Sequence, residues 1–368
     1  MKINILLPYK EKFDENKASS VSITVRNNLL YSKYLDKIKI FGQNVESPLF
    51  KDNFFGIRYS ALSFKSKNKF LAYEMLKIIN KDPDKKQLIE IHNRPYLIDQ
   101  ITKRNKFPIT LFFHNDPQTM KGSKLVRDRK EILKKCEAVF CVSEYVKNKF
   151  LEGILINKEK VHVLYNGVNR QLKTFPTKKK EILFVGRLVA EKGVDLYVDV
   201  VENIAKNYPD WTFELIGSFR LGDNKNKDIF ANSLIKKFEK ISNQTKFHGF
   251  KNQEFIQKKM KTASIIVIPS VWAEPFGLVA AEAMSNGIGI IASDVGGIPE
   301  IVKANGVLIQ DINKQKIEYA LTDLMTNLTK TKKLQRMSWD NFKLSAKKSS
   351  EKLDLYRDMI SSKYFVDD

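Results

Sequence analysis

Two glutamates and two cations have the right side chains for a ligand that carries both hydroxyl and phosphate groups. Glu274 and Glu282 are separated by seven residues around a Pro-Phe-Gly turn, and a carboxylate can accept hydrogen bonds from two vicinal hydroxyls. Arg187 and Lys192 follow a short apolar run, with glycines at positions 186 and 193. Two cations at such a turn suit a diphosphate. The four residues together indicate a site for a phosphorylated sugar compound.

A helix N-terminus is predicted beside the first glutamate. An apolar run ends at Ile268, Pro275 and Gly277 bend the chain, and residues 278–285 are strong helix formers. The first N–H groups of a helix have no intrahelical acceptor, so they can bind sugar hydroxyls and phosphate oxygens. The groups expected to do this belong to Phe276, Gly277 and Leu278.

The first half of the chain offers a second group of candidates. His114 directly follows the apolar run 109–113, and His92, Asn93 and Arg94 follow the run 87–91. A lone histidine is more often structural than catalytic, but a position at the carboxyl end of a strand favours function. His92, Asn93 and Arg94 are further candidates at the neighbouring strand end.

The elements that must position these residues form an α/β pattern. Short β-branched runs alternate with helical segments of ten or more residues, which predicts two Rossmann-like, doubly wound domains with a cleft between them. The predicted strands of the first domain are 3–7, 37–41, 87–91, 109–113, 138–142 and 161–164. Those of the second are 182–185, 212–216, 245–247, 265–268, 288–292 and 306–309.

A stretch with glycine, proline and a lysine run, residues 166–180, is predicted to be an exposed connection. The N-terminal domain would span residues 1–168, and the C-terminal domain would span 169–345. Residues 346–368 would form a helix that returns to the first domain, as is common in folds of this type.

Composition indicates a folded, reduced protein. The 368 residues carry 64 Lys plus Arg against 42 Asp plus Glu, a net charge of +22. Only 11 of the 64 are Arg, so lysine enrichment is interpreted as compositional bias. The alternative is a basic face that contacts anionic lipid on the inner membrane surface, or an anionic polysaccharide. Two cysteines without metal-ligand spacing, no leader and no long apolar run predict a cytoplasmic protein.

The motifs around these residues resemble the family 4 retaining glycosyltransferases, nearest the spore-coat and surface-polysaccharide subgroup. The resemblance implies the GT-B fold. It places Glu274 by the donor sugar, Glu282 on the nucleotide ribose, and Arg187 and Lys192 on the donor diphosphate. The histidine of LFFHNDPQTM, His114, would approach the donor sugar and the acceptor. The N-terminal domain would bind the acceptor, with His92, Asn93 and Arg94 as the candidates on that side.

The remaining donor contacts also follow from the resemblance. Gly186 would allow close approach of the backbone, and the main chain of Phe250 and Lys251 in FHGFKNQEF would contact the base. A UDP-sugar is the expected donor, although main-chain contact does not separate UDP from GDP or ADP. Nothing in the sequence calls for a metal or a cofactor, and the cations and the helix dipole would carry the charge of the leaving group.

The predicted function is transfer of a hexosyl group to a glycan or glycolipid, in surface-polysaccharide or lipopolysaccharide synthesis. Alternatives are a sugar phosphorylase or epimerase on the same fold, or a basic binding protein without turnover. Scattered arginines argue against nucleic acid as a partner.

One departure from the family concerns the loop after the first strand. There Ala18 and Ser19 replace the usual Gly-Gly, which puts a phosphate contact from that loop in doubt.

Overall fold

The chain folds into two compact units. The computed structural model describes residues 1–59, 66–219 and 229–365. Unit 1 is Met1–Asn169 together with the chain from Leu344 onward, and unit 2 is Arg170–Lys343. Residues 220–228, part of a stretch that resembles the spore-coat subgroup, lie outside the described residues. In the described part of the chain, no helix combines the length and apolarity needed to cross a membrane.

Unit 1 contains a seven-stranded parallel sheet in the order β3-β2-β1-β4-β5-β6-β7. Its strands are β1 Lys2–Leu6, β2 Ile38–Gln43, β3 Phe54–Ile57, β4 Gln87–His92, β5 Ile109–Phe113, β6 Ala138–Cys141 and β7 Val161–Val163. Its helices are α1 Ser20–Leu29, α2 Lys67–Lys81, α3 Ile98–Thr102, α4 Val126–Lys135, α5 Glu144–Leu151 and α13 Ala346–Tyr364.

Unit 2 contains a six-stranded parallel sheet in the order β10-β9-β8-β11-β12-β13. Its strands are β8 Lys179–Val185, β9 Thr212–Ile216, β10 Thr245–Gly249, β11 Ala263–Ile268, β12 Gly289–Ser293 and β13 Val307–Ile309. Its helices are α6 Val194–Ile204, α7 Ile229–Ile241, α8 Gln253–Thr262, α9 Leu278–Ser285, α10 Ile298–Val302, α11 Lys314–Thr326 and α12 Leu328–Asp340.

Continuous apolar runs become central strands because helices cover both faces of a parallel sheet. Every residue of β5, β11 and β12 is buried. The strand order reverses between β1 and β4 in unit 1, and between β8 and β11 in unit 2. Loops that follow the strands at these reversals line a crevice at the carboxyl edge, where ligands of such sheets bind. The candidate residues follow β4 and β5 in unit 1, and β8, β10 and β11 in unit 2.

The last helix, α13, is held to unit 1 by a buried ion pair. Arg357 donates two hydrogen bonds of 2.8 Å to the carboxylate of Glu90 on β4. It also donates to Asp354 and to Ser32, at 2.9 and 3.1 Å. Arg357 and Glu90 are 2% and 1% exposed, so each charge depends on the other for solvation.

The structure differs from the sequence-based expectations at several element boundaries. Strand β3 was missed because Phe54–Ile57 is a half-exposed edge strand with a glycine and lacks a buried run. The sequence predicts that the lysine run lies in the connection, yet Lys179 and Lys180 begin β8 with exposed side chains. Helix α13 ends at Tyr364, and it is capped at its start by Ser345, which accepts a hydrogen bond from the backbone N–H of Lys348. Both cysteines are free and buried, as expected.

Candidate functional site

In unit 2, the loops that follow β8 and β11 bring a lysine and a glutamate into direct contact. Lys192 donates to Oε1 of Glu274, and the hydroxyl of Ser270 donates to the same oxygen at 2.6 Å. Glu274 is 8% exposed and Ser270 is 1% exposed. The backbone joins the loops too, since the N–H of Val271 donates to the carbonyl of Glu191 at 3.0 Å. Both side-chain donors bond to Oε1 of Glu274, so they fix the orientation of its carboxylate.

Helix α9 starts four residues after Glu274, at Leu278, without a side-chain cap. Its N-cap is Gly277, in the left-handed conformation at φ 94°. The first N–H groups, beginning with that of Leu278, have no carbonyl of their own helix to bond. They form a positive helix end next to the Lys192–Glu274 pair. The ring of Phe276 is 3% exposed and packs into the unit, so only its main chain is suited to a ligand contact.

The turn after β12 supports this loop from behind. The N–H of Gly297 donates to the carbonyl of Glu274 at 2.7 Å. A Cβ on Gly296 would lie 2.2 Å from the carbonyl oxygen of Glu274, and one on Gly297 would lie 2.6 Å from that of Pro275. Only glycine permits this approach, so the Gly-Gly turn fixes the backbone that carries Glu274.

We expect Gly296→Ala to destabilise unit 2 by about 2–4 kcal/mol, since φ is +59° and the new methyl would overlap the Glu274 backbone. Urea unfolding measures the loss. Gly186→Ala is the matched control, because its added Cβ would lie 3.5 Å from Phe184 at an ordinary contact distance. Equal midpoints for the two variants would contradict a supporting role for the turn.

Glu282 is buried in the second turn of α9 and is 5% exposed. Burial raises the pKa of its carboxyl to about 7, and a hydrogen bond from Gln253 acts in the opposite direction. The Nε2 of Gln253 donates to Oε1 at 2.5 Å. Near neutral pH this carboxyl is therefore divided between its acid and carboxylate forms, and a ligand that donates hydroxyl hydrogen bonds would favour the carboxylate.

The other predicted donor residues lie at the same carboxyl edge of the sheet. Arg187 is about half exposed and has one weak ion pair, with Glu191 at 3.7 Å. Gly186 precedes it and donates its N–H to the carbonyl of Ile216 at 3.0 Å. Phe250 and Lys251 form the turn after β10 and are both partly buried, with the ammonium of Lys251 5.0 Å from the centre of the Phe255 ring. Among the described residues, no contact joins Arg187 to Lys192.

The candidates of unit 1 lie at the ends of β4 and β5. Nδ1 of His92 is 2.8 Å from Nε2 of His114, and the rings stack with centroids 5.1 Å apart. Burial lowers the pKa of His114 to about 4. It also lowers the pKa of His92, as do the neighbouring His114 and Arg357. Both imidazoles are therefore neutral near pH 7.

The residues after His92 hold the loop together. Asn93 has φ 54°, and its side-chain oxygen accepts the backbone N–H of His114 at 2.8 Å. Arg94 donates to the carbonyl of Asn93 at 2.6 Å. His92 and Asn93 are 3% and 4% exposed, whereas Arg94 is partly exposed. Arg94 and His114 are therefore the members of this group whose side chains are partly accessible to solvent.

Two residues that contact the predicted glutamates, Ser270 and Gln253, were not predicted from the sequence. Ser270 lies two residues after β11, so its position at a strand end was a usable signal. Gln253 lies on a different helix, 29 residues from Glu282, and no local pattern marks it. In unit 1, Ser19 accepts the N–H of Ser22 at 3.3 Å and caps α1, so the unusual loop still begins a helix.

Two family models match the chain. The model of glycosyl transferases group 1 matches residues 167–339, and that of glycosyltransferase family 4 matches residues 43–172. The chain therefore belongs to the family 4 glycosyltransferases, which confirms the resemblance found in its motifs.

Related proteins agree with this assignment. An uncharacterized glycosyltransferase of Methanocaldococcus jannaschii is 30% identical over 59% of this chain and 60% of its own length. The match thus spans somewhat less than two thirds of that relative. Spore coat protein SA of Bacillus subtilis is 27% identical over 68% of this chain and 72% of its own length.

A solved structure shows the same fold. HepE of Anabaena, solved in complex with UDP-glucose, superposes with a TM-score of 0.73 at 17% identity, over 98% of this chain and all of its own. The GT-B fold predicted from the sequence is confirmed.

Proposed function

We propose that the protein transfers a hexosyl group from a nucleotide-sugar, with a UDP-sugar as donor, to a glycan or glycolipid. The observation that supports this most is the contact of Lys192 and Ser270 with Glu274 at the open end of α9. This arrangement offers a carboxylate oxygen to a sugar hydroxyl and places positive charge beside it. The neighbour that was solved with UDP-glucose supports UDP as the nucleotide.

The proposed reaction is retaining and uses no metal. The bond between the anomeric carbon and the diphosphate oxygen breaks, and a new bond to the acceptor oxygen forms on the same face of the sugar. The acceptor proton passes to an oxygen of the leaving diphosphate. Arg187, Lys192 and the N-terminus of α9 stabilise the negative charge that builds on the diphosphate.

The remaining residues take supporting parts in this proposal. Glu282 binds the ribose hydroxyls, and the main chain of Phe250 and Lys251 contacts the base. His114 meets the donor sugar, with Arg94 on the acceptor side. A role in surface-polysaccharide or lipopolysaccharide synthesis is supported by the similarity to a spore coat protein. Contact with the inner membrane surface belongs to this proposal only if the net charge of +22 forms a basic face and is not compositional bias.

Thermal-shift measurements against UDP-, GDP- and ADP-sugars test the donor, and release of the matching nucleotide with glycan acceptors tests transfer. A rise in melting temperature with one nucleotide class, followed by acceptor-dependent release, is the expected result. Absence of both for every nucleotide would count against the proposal.

The affinity for UDP-glucose should rise with pH between about 6 and 8, by up to roughly tenfold, because the ribose hydroxyls prefer the ionised form of Glu282. UDP-glucose is the right probe, since neither of its phosphate groups titrates in this range. Isothermal titration calorimetry at several pH values measures the trend, and Glu282→Gln should abolish it.

The ligand-free protein should show the opposite pH trend. The pKa of Glu282 is higher in the folded protein than its ordinary value of 4.5. The stability that this shift contributes is therefore complete below pH 4.5 and is lost as the pH rises to about 7. Glu282→Gln removes that contribution, so urea unfolding of the two proteins should differ in pH slope across this window.

In the binding measurement, an affinity for UDP-glucose that does not change with pH would contradict the assignment of Glu282 to the ribose.

A further inference from the structure

The histidine pair of unit 1 has only two arrangements of its protons. Nδ1 of His92 and Nε2 of His114 are 2.8 Å apart, so one nitrogen carries a proton and the other accepts it. In the first arrangement His92 donates, and each ring then carries its proton on Nδ1. In the second His114 donates, and each ring carries its proton on Nε2. The tautomers of the two residues are therefore coupled.

Burial of the outer nitrogen of His92 separates the two arrangements. Its Nε2 is fully buried and has no hydrogen-bond partner in the described chain. The second arrangement would leave a buried N–H group there without an acceptor, whereas the first leaves only a lone pair. Orphaned N–H groups are the rarer of the two in protein interiors. The first arrangement is thus favoured.

The surroundings of His92 hold its ring in this orientation. It stacks on Phe112 with centroids 4.4 Å apart, on the neighbouring strand β5. Arg357 of α13 is close enough to oppose protonation of His92, and Glu90 of the same strand is occupied by Arg357. His92 is 3% exposed, so it is not positioned to meet an acceptor directly.

His114 differs from His92 in having an accessible edge. The ring is partly exposed, and none of the described residues bonds to its Nδ1. We propose that His92 is a positioning residue that holds His114 in the tautomer with its proton on Nδ1, so that His114 offers an N–H donor to a substrate oxygen. The tautomer follows from unit 1 alone, while its use on a substrate rests on the proposed function.

Nuclear magnetic resonance of 15N-histidine-labelled protein tests the tautomer without any turnover. The chain has four histidines. Substitution of His162 and His248 identifies the signals of the pair, and His92→Phe then identifies that of His114. Long-range 1H–15N correlations at pH 7 should show Nδ1 protonated in both His92 and His114. Protonation of Nε2 in both rings, or a charged ring in either, would overturn the proposal.

Two variants of His92 separate hydrogen bonding from packing. His92→Phe keeps an aromatic ring on Phe112 but removes the donor, so the proton of His114 should move to Nε2 and kcat should fall about tenfold. His92→Asn keeps an N–H donor near the place of Nδ1 and should retain the Nδ1 tautomer, with kcat within about threefold of wild type.

His162→Phe is the control for loss of a histidine from a stack, since His162 lies against Tyr356 with ring centroids 4.5 Å apart. It should change neither the tautomer of His114 nor kcat. An unchanged kcat in His92→Phe despite a shifted tautomer would overturn the positioning role. A wild-type protein without transfer activity would instead refute the proposed function, and the spectra would still decide the tautomer.

Discussion

Lys192→Ala should reduce sugar transfer by about 10²–10³-fold, because removal of one preorganised charge at a site of developing negative charge has effects of this size. In the ligand-free protein, Lys192 is the cation that contacts Glu274. Its loss removes both the expected diphosphate partner and a donor that orients the carboxylate. The measurement is the initial rate of nucleotide release with a saturating acceptor.

A surface lysine of the same unit provides the control. Lys237 on α7 pairs with Asp199 and Glu202, at 2.7 and 2.8 Å, away from the loops that follow β8 and β11. Lys237→Ala should keep the wild-type rate, and Lys192→Arg should recover part of what Lys192→Ala loses. A Lys192→Ala rate within threefold of wild type would remove this residue from the proposed reaction.

Arg357→Met should destabilise unit 1 by about 3–5 kcal/mol, because it leaves the carboxylate of Glu90 buried without a counter-charge. Asp354 and Ser32 lose a hydrogen-bond donor in the same variant. Urea unfolding followed by circular dichroism measures the effect.

The same helix carries a matched exposed pair. Lys363 bonds to Glu137 at 2.6 Å with a side chain that is 61% exposed. Because water screens such a pair, Lys363→Met should cost no more than about 1 kcal/mol. Similar losses for the two variants would show that burial of the Arg357–Glu90 pair is not what fixes α13.

Strand and loop positions were predictable because buried runs and strand ends leave clear patterns. The runs before His114 and Glu274 are uniformly buried strands, β5 and β11. Because ligands of such sheets bind at the carboxyl ends of the strands, residues at these ends are the natural candidates for a site. The contact between the two histidines follows from the pairing of β4 with β5. His92 lies beside Phe112, and His114 comes two residues after Phe112.

Which side chains bond to one another could not be predicted from the local sequence. The bond from Gln253 to Glu282 depends on how α8 packs on α9, and that packing involves residues 29 positions apart. The burial of His92, which is 3% exposed, likewise depends on tertiary packing. Helix packing decides these contacts, and periodicity carries no information about which side chains then meet.

The discontinuous course of unit 1 has a consequence for synthesis on the ribosome. Glu90 and Arg357 are separated by 267 residues, and elongation proceeds at about 5–20 residues per second. Roughly 13–53 seconds therefore pass between the synthesis of Glu90 and the synthesis of Arg357, which carries its counter-charge. During that interval α13 has not yet been made, so the carboxylate of Glu90 stays in contact with water. All of unit 2 is translated in the same interval and can fold. A premature stop codon before Arg357 would thus damage the earliest-made half of the protein.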